Sequence, residues 1–249
     1  DLIWTLTDDG VLTISGTGTM DNYSTSIRAP WDDPEYSITS VVIESGATTV
    51  GNYAFRDLAS LVDVSLPAGI QSIGQRAFSG CASLTGVTIP DSVTSIGMSA
   101  FYGCGSLTEV NIPANVTGIG GSVFYGCSSL TSVTIPAGIT DIEVNAFYGC
   151  GSLTTVTFEG NAPSIDNVFG GVTADVYYPA DNATWTSAVR QDYGGTLTWI
   201  PITVITAQPE DMTAAVGETV PVSVTATGAN LTYQWRWRKN DSGEWTNIA

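Results

Sequence analysis

Hydrophobic positions recur every 23 residues through the middle of the chain. The most regular column consists of phenylalanine, at Phe55, Phe78, Phe101, Phe124 and Phe147. Three aliphatic columns keep the same interval, namely Ile38, Leu61, Leu84, Leu107, Leu130 and Leu153; Val64, Val87, Val110, Val133 and Val156; and Val50, Ile73, Ile96, Ile119 and Ile142. A fixed period of this length is typical of repeat proteins, whose neighbouring copies stack and bury one continuous core.

Each copy has the pattern Leu-x-x-Val-x-Ile-Pro, then x-x-Val-x-x-Ile-Gly, then x-x-Ala-Phe-x-Gly-Cys. The first part predicts a short strand with Val and Ile facing inward, which proline ends because it cannot donate to a ladder. The Ala-Phe-x-Gly-Cys part predicts a tight corner, in which glycine provides a permissive backbone and phenylalanine fills the coil. Stacked in register, the copies predict a mainly β, right-handed solenoid that rises about 4.8 Å per repeat.

The copy from Leu84-Thr-Gly-Val-Thr-Ile-Pro to Ala100-Phe-Tyr-Gly-Cys104 resembles the BspA-like, or treponemal-type, leucine-rich repeat family. The resemblance extends over residues 38 to about 178. It implies a curved leucine-rich-repeat solenoid of 23-residue repeats. It also implies a secreted or surface-displayed bacterial protein, of a kind often described as an adhesin.

The period breaks at both ends, which predicts caps because exposed terminal ladders invite edge pairing. Residues 1–37 predict an N-terminal β-hairpin cap that turns at Asp8-Asp9-Gly10 and resembles the cap of the same family. Residues 38–178 form the predicted solenoid. Residues 179–201 predict a C-terminal cap, after a last strand at Val176-Tyr-Tyr-Pro and with a helix-compatible run from Asp181 to Tyr193.

The composition changes after Pro201. Residues 216–226 and 231–237 predict two alternating strands that resemble strands B and C of a bacterial immunoglobulin-like domain, with Trp235 as the core tryptophan. Only residues 202–249 are available for it, roughly half of the ~100 residues that such a sandwich needs. We expect a truncated immunoglobulin-like domain here, with completion of its sheet by another chain as the alternative.

Charge and composition exclude several classes of function. The chain has 24 acidic and 7 basic residues, a net charge of −17 and no histidine. The missing histidine removes Ser-His-Asp and Cys-His catalysis and histidine-containing metal sites. Nucleic acids and anionic membranes require clustered Lys and Arg, so neither is an expected partner. No apolar run has membrane-spanning length, which predicts no membrane insertion in this segment.

The four cysteines form one more column, at Cys81, Cys104, Cys127 and Cys150. Zinc needs ligands that converge tetrahedrally, whereas positions in a column lie along a line. The parallel Cβ vectors of a column also fit disulfide geometry poorly. We therefore predict reduced, buried thiols that pack as small hydrophobes, with no metal and no cofactor.

Acidic residues cluster at Asp8 and Asp9, at residues 32–35, and at Asp141 and Glu143. Two carboxylates at a suitable separation are what a glycoside hydrolase needs, so this activity is an alternative function. The clusters fall in predicted turns and caps, which favours solvated turn-forming residues instead. Calcium at Asp32, Asp33 and Glu35 is a further option, although the chain has no Asp-x-Asp-x-Asp-Gly loop.

Two outward-facing sets are candidate binding residues. The strand positions between the buried columns are Asp63, Ser65, Thr88, Glu109, Asn111, Ser132, Thr134, Thr155 and Thr157. They predict a hydroxyl-rich, mildly acidic concave face that suits a protein or a glycan, or that merely solubilises the strands. Tyr102, Tyr125 and Tyr148 form a column beside the phenylalanines, which predicts either contacts to sugars and proteins or a stabilising stack.

These features predict a non-enzymatic binding protein, secreted or on the bacterial cell surface. Adhesion to a host or neighbouring-cell protein through the solenoid face is the main hypothesis, and the chain is expected to be a monomer. The alternatives are a carbohydrate-binding module that uses the tyrosine column and, second, a glycoside hydrolase that uses cap carboxylates.

Overall fold

Two tracks of short, mostly parallel strands follow the chain, one strand of each track per coil. The computed structural model describes residues 1–33, 35–202, 204–207, 221, 223–227, 236–237 and 246–247. We call the first of these tracks the strand track; it contains β1 (Leu2–Leu6), β2 (Val11–Gly16), β3 (Ser40–Ile43), β5 (Asp63–Ser65), β7 (Gly86–Val87), β9 (Glu109–Val110), β11 (Ser132–Ile135), β13 (Thr155–Phe158), β15 (Thr173–Pro179) and β16 (Thr196–Ile202). The second track contains β4 (Thr49–Val50), β6 (Ser72–Ile73), β8 (Ser95–Ile96), β10 (Gly118–Ile119), β12 (Asp141–Ile142) and β14 (Ser164–Ile165).

Strands of successive coils pair at the repeat interval. Val133 lies opposite Val156 on the strand track, and Ile119 lies opposite Ile142 on the second track. Identical columns therefore stack in register at the strand spacing of about 4.8 Å. The described residues contain no helix, and the predicted mainly β solenoid is confirmed, with about seven turns.

The strand track is not one continuous sheet. Its strands form three sheets, in the orders β1-β2-β3-β5, β7-β9 and β11-β13-β15-β16. Two seams therefore separate β5 from β7 and β9 from β11. Beside the second seam, the hydrogen bond from the Thr131 N–H to the Thr108 carbonyl is 3.4 Å long, whereas its equivalent from Thr154 to Thr131 is 3.0 Å long.

Seven aromatic rings stack through the corners of the coils. This Phe ladder comprises Trp31, Phe55, Phe78, Phe101, Phe124, Phe147 and Phe169, with adjacent ring centroids 5.3–5.7 Å apart. Backbone hydrogen bonds join the same corners, as from the Phe78 N–H to the Ala100 carbonyl at 2.8 Å. Gly103 and Gly126 turn these corners with φ of 72° and 70°, a region that side chains disfavour. The corner predicted from the sequence is confirmed.

The N-terminal hairpin continues the solenoid. As predicted, β1 pairs antiparallel with β2, and Leu6 faces Leu12 across the turn. β2 then pairs in parallel with β3, so the hairpin extends the first sheet of the strand track. The Trp31 indole N–H donates to the Ala54 carbonyl at 2.7 Å, which fixes this ring at the end of the Phe ladder.

At the C-terminal end, the prediction that Val176-Tyr-Tyr-Pro is the last strand is wrong. β16 pairs in parallel with β15 over seven positions, from Thr173 opposite Thr196 to Pro179 opposite Ile202. The sequence showed no repeat pattern here, but Leu197 and Trp199 still pack against the core. Burial of these two side chains adds one more strand to the stack.

The helix-compatible run from Asp181 to Tyr193 forms turns, so that prediction is also wrong. The Asn182 side-chain oxygen accepts hydrogen bonds from the N–H and the hydroxyl of Thr184. Local bonds of this kind compete with the helical backbone pattern. The Trp185 indole N–H also donates to the Gly160 carbonyl at 2.9 Å, which ties the turn to the coil before it.

Beyond residue 202 the structure describes two short antiparallel pairs. β17 (Val204–Ala207) pairs with β18 (Thr225–Thr227), and β19 (Arg236–Trp237) pairs with β20 (Thr246–Asn247). Trp235 and most of the two predicted immunoglobulin-like strands lie outside the described residues.

Candidate functional site

The predicted strand-face residues point away from the core, with one qualification. Asp63, Ser65, Thr88, Glu109, Asn111, Ser132 and Thr134 are exposed. Thr155 and Thr157 are only half-buried rather than fully outward, because their partners on β15 are the larger Asp175 and Tyr177. The inward positions of the same strands are buried, as the alternation predicted, except that Val110 beside the second seam is half-buried.

A groove of about 570 Å³ lies along the seam between β9 and β11. Five of the predicted residues line it, namely Thr88, Glu109, Asn111, Ser132 and Thr134. Its remaining lining includes the apolar Val110, Ile112 and Val133, together with Glu159. We call this feature the strand groove. Asp63, Ser65, Thr155, Thr157 and the three tyrosines do not line it.

Asn111 has a structural role in the strand groove. Its amide nitrogen donates to the Ile89 carbonyl at 2.8 Å, and its side-chain oxygen accepts from the Ile89 N–H at 2.9 Å. The side chain therefore takes the place of a strand partner for Ile89, just beyond the β7–β9 pairing. These two hydrogen bonds to the Ile89 backbone hold the Asn111 side chain in place. They leave fewer of its donor and acceptor sites free to bind a ligand.

The other polar side chains of the groove are available. Those of Glu109, Ser132 and Thr134 make no hydrogen bond or ion pair with any described residue. Between Arg76 and Arg190 the sequence contains no Lys or Arg, so the Glu109 and Glu159 carboxylates have no basic neighbour in the repeats. The groove is therefore a hydroxyl-rimmed, anionic surface over an apolar floor.

Glu159 lines the groove but is not among the binding residues predicted from the sequence. In the repeats, Pro90, Pro113 and Pro136 occupy the position after the strand, and Glu159 falls at the same position one coil later. The column of prolines therefore contained the signal, since the replacement of proline by a charged residue marks a coil that differs from the others.

The tyrosine column forms the stack that was one of its two predicted roles. The rings of Tyr102 and Tyr125 are 4.7 Å apart and those of Tyr125 and Tyr148 are 4.9 Å apart, each pair within 9° of parallel. Gly170 lies against the far side of Tyr148, where an added Cβ would be 2.3 Å from the ring. The faces of Tyr125 and Tyr148 are therefore covered, and the column presents ring edges and hydroxyls to solvent.

The four cysteine side chains are buried, and their thiols point towards backbone carbonyls. Each thiol donates to the carbonyl of a phenylalanine, as in the 3.2 Å bond from Cys104 Sγ to the Phe78 oxygen. Burial raises the pKa of Cys104 and that of Cys150 to about 12, and it raises the pKa of Cys81 and Cys127 as well. Thiolates are the reactive and metal-binding form, so this environment favours packing over chemistry.

The acidic clusters serve local structure. Asp32 forms an ion pair with Arg28 at 3.3 Å, and the Asp33 carboxylate accepts a hydrogen bond from the Glu35 N–H. Glu143 accepts from the Gly121 N–H at 2.8 Å, which joins two coils. Within the part of the chain that the structure describes, no three Cys, Asp or Glu side chains converge as a metal site would require.

The repeats match a known family. The model of the BspA type leucine rich repeat region matches residues 48–171 in six copies. No curated protein matches the chain. Within the described residues, no helix has both the length and the apolar character that crossing a bilayer requires.

Three solved structures are similar to the chain. The leucine rich repeat protein of T. pallidum is 28% identical, with a TM-score of 0.49 over 71% of this chain and 82% of that one. A leucine rich cell surface protein from Faecalibacterium prausnitzii A2-165 is 17% identical, with a TM-score of 0.34 over 74% and 94%. The pneumococcal vaccine antigen PcpA is 17% identical, with a TM-score of 0.45 over 76% and 41%. With its six matched copies and the strand and corner geometry described above, this chain belongs to the BspA-type leucine-rich repeat family.

Proposed function

We propose that the chain is a non-catalytic adhesin that binds a host or neighbouring-cell protein through the strand groove. The observation that carries this proposal is the groove itself, where Glu109, Ser132 and Thr134 lie beside a break in the sheet and their side chains have no partner among the described residues. In the threonine column that precedes the strands, by contrast, the hydroxyls bond to the neighbouring coil, as Thr108 does to the Thr85 carbonyl at 3.1 Å. Polar groups without internal partners beside an apolar floor suit the polar rim and apolar centre of a protein interface.

A protein ligand fits the groove better than a sugar ligand fits the tyrosine column. Carbohydrate sites commonly place an aromatic ring face against the sugar, and the faces of Tyr125 and Tyr148 are covered by the stack. The hydrolase alternative loses Asp32 and Asp33 as candidate carboxylates, because both are engaged in turn contacts. A solenoid of identical coils offers instead an extended surface, which is how repeat proteins bind partners.

We further propose an extracellular or cell-surface location for this protein, as a monomer. The family resemblance supports the location. In this proposal residues 202–249 belong to an immunoglobulin-like spacer that carries the solenoid away from the cell, which agrees with the alternating pattern at 216–226 and 231–237.

Adhesion of coated beads tests the groove. Beads carrying the chain are applied to epithelial monolayers, with and without prior protease treatment of the cells, and the bound beads are counted. We expect protease-sensitive adhesion that the double variant Glu109→Gln/Thr134→Ala reduces to less than about a third of its wild-type level, since these groups lie in the groove.

Asp63→Asn is the matched control, because it removes an exposed carboxylate of the same strand track outside the groove. Adhesion that survives protease treatment of the cells, or that falls equally in the control and the double variant, would overturn the proposal. Absence of any adhesion by the wild-type chain would do the same.

A further inference from the structure

A second concave site lies in the N-terminal cap, apart from the strand groove. It is a cleft of about 520 Å³ under the hairpin, and its walls include Trp4, Leu6, Asp8, Glu35 and Tyr36. None of its lining residues lines the strand groove. We call it the cap cleft.

Two aromatic rings form the walls of the cap cleft. The ring centroids of Trp4 and Tyr36 are 6.4 Å apart and their planes are inclined by 54°, so the two rings pack against each other as a tilted pair that lines the cleft. Trp31 packs edge-on against Trp4 at 6.2 Å and thereby connects the wall to the end of the Phe ladder. Tyr36 is 39% exposed, so its ring is only partly covered by the protein.

The cap cleft carries uncompensated negative charge. Asp8 and Glu35 line it, and neither carboxylate forms an ion pair with a described residue. Arg28 is the single basic residue among the first 37, and it is paired with Asp32. Two carboxylate residues therefore line the same cleft as the aromatic pair, and the single basic residue of the cap is engaged with Asp32.

We infer that the cap cleft binds the side chain of an arginine presented by a protein partner. A planar guanidinium stacks on the face of Trp or Tyr, where the ring quadrupole attracts it. Its N–H groups point outward in the plane and can donate two parallel bonds to one carboxylate. Leu6 and the rings provide the apolar surface that the aliphatic part of arginine covers. An anionic ligand is repelled by Asp8 and Glu35, and a neutral sugar leaves their charge unpaired.

The test compares a cation with its neutral isostere. N-acetyl-L-arginine amide and N-acetyl-L-citrulline amide are titrated into the 15N-labelled chain, and the tryptophan indole N–H signals are followed by NMR. We expect saturable binding of the arginine derivative with a dissociation constant in the millimolar range, and binding of the citrulline derivative at least roughly tenfold weaker.

The variants separate charge from shape. Asp8→Asn/Glu35→Gln should lower the affinity for the arginine derivative by roughly tenfold, to a value close to that for the citrulline derivative. Tyr36→Leu should lower the affinity for the arginine derivative about threefold. Asp63→Asn, outside the cleft, should leave the affinity unchanged. Thermal unfolding of each variant confirms that the cap remains folded.

Several outcomes would overturn the inference. They are equal affinity for the two amides, no signal change up to about 50 mM ligand, signal changes confined to residues outside the cap, and tighter binding of methyl glycosides than of the arginine derivative. Because the cap cleft and the strand groove share no residues, failure here leaves the bead-adhesion test of the groove unaffected.

Discussion

The corners of this solenoid repeat more regularly than its strand track does. The Phe ladder is continuous over seven rings, and its centroid spacing stays between 5.3 and 5.7 Å. The strand track, built from the same coils, is divided by two seams into three sheets. The side-chain stack and its backbone bonds thus set the register of the coils, whereas the strands tolerate interruption.

This difference separates stability from binding. The corner phenylalanines are fully buried, bonded through their backbone to the next coil and repeated from Phe55 to Phe147, so a substitution there disturbs two neighbours. The strand face is largely exposed, and one outward column changes from Asp63 to Glu109 to Ser132 while the inward valine column continues unchanged. A solenoid divided in this way can change its binding surface while its framework stays constant.

The largest effect is expected for Phe101→Ala, in the middle of the Phe ladder. The variant loses a fully buried ring and its stacking on Phe78 and Phe124, so its free energy of unfolding should fall by about 4 kcal/mol. Urea denaturation followed by far-UV circular dichroism measures it. Thr88→Ala, on the strand face, should change stability by less than about 0.5 kcal/mol. Similar losses in the two variants would contradict the division between corner and strand track.

Alkaline pH should destabilise the corners through their thiols. Burial raises the pKa of Cys104 from 9.0 to about 12. Above pH 9 the thiol of the unfolded chain therefore ionises while that of the folded chain stays protonated. Stability present below pH 9 is lost as the pH rises towards 12. Between pH 9 and 11 the wild-type chain should lose about 2 kcal/mol more than Cys104→Ala, as measured by urea denaturation at each pH. Parallel pH profiles would count against the buried position of this thiol.

Glycines provide a matched pair across the two regions. Gly126 turns a corner with φ of 70°, so Gly126→Ala should cost about 1–2 kcal/mol although an added Cβ has room. Gly86 begins strand β7, and an added Cβ there meets nothing within 4 Å. Gly86→Ala should therefore be neutral within about 0.5 kcal/mol, or slightly stabilising. Thermal unfolding of the two variants measures both effects. A Gly86→Ala variant that lost as much stability as Gly126→Ala would show that the strand track is as constrained as the corner.

The smallest effect is expected at the seam, where one strand-face residue does contribute to stability. Asn111→Ala removes two hydrogen bonds to the Ile89 backbone and should cost about 1 kcal/mol. Ser132→Ala, across the seam and without a side-chain partner among the described residues, is the control and should be neutral. If Asn111→Ala proved equally neutral, the bridge to Ile89 would have no energetic role.

The regular part of the fold could be predicted from the sequence because identical columns can be buried only by stacking in register. The ends could not. A strict interval of 23 residues places Asp32 and Gly170 in the Phe ladder, but Trp31 and Phe169 occupy it instead. The connecting segments lengthen or shorten by one residue so that an aromatic ring reaches the ladder. This happens because burying the ring stabilises the fold more than keeping the 23-residue interval would.

The candidate sites were predictable only in part. Period-2 alternation correctly placed Thr88, Glu109 and Thr134 on the outward face, but the valine column continues unchanged across both seams and gives no sign of them. A seam depends on differences of a few tenths of an ångström in hydrogen-bond length, which a residue pattern does not encode. The cap cleft was missed because Trp4, Glu35 and Tyr36 belong to a segment without a repeat, where only the folded chain shows which residues meet.

The register of the Phe ladder also has a genetic consequence. From Phe78 to Phe147, each phenylalanine stacks on another phenylalanine on each side, so these interfaces between coils are alike. Deleting residues 91–113 would place Phe78 against Phe124 and shorten the stack by one pitch of about 4.8 Å. Unequal recombination within the gene can thus lengthen or shorten the molecule by whole coils without creating a new packing problem. The reach of such a protein is therefore easier for mutation to alter than its cross-section.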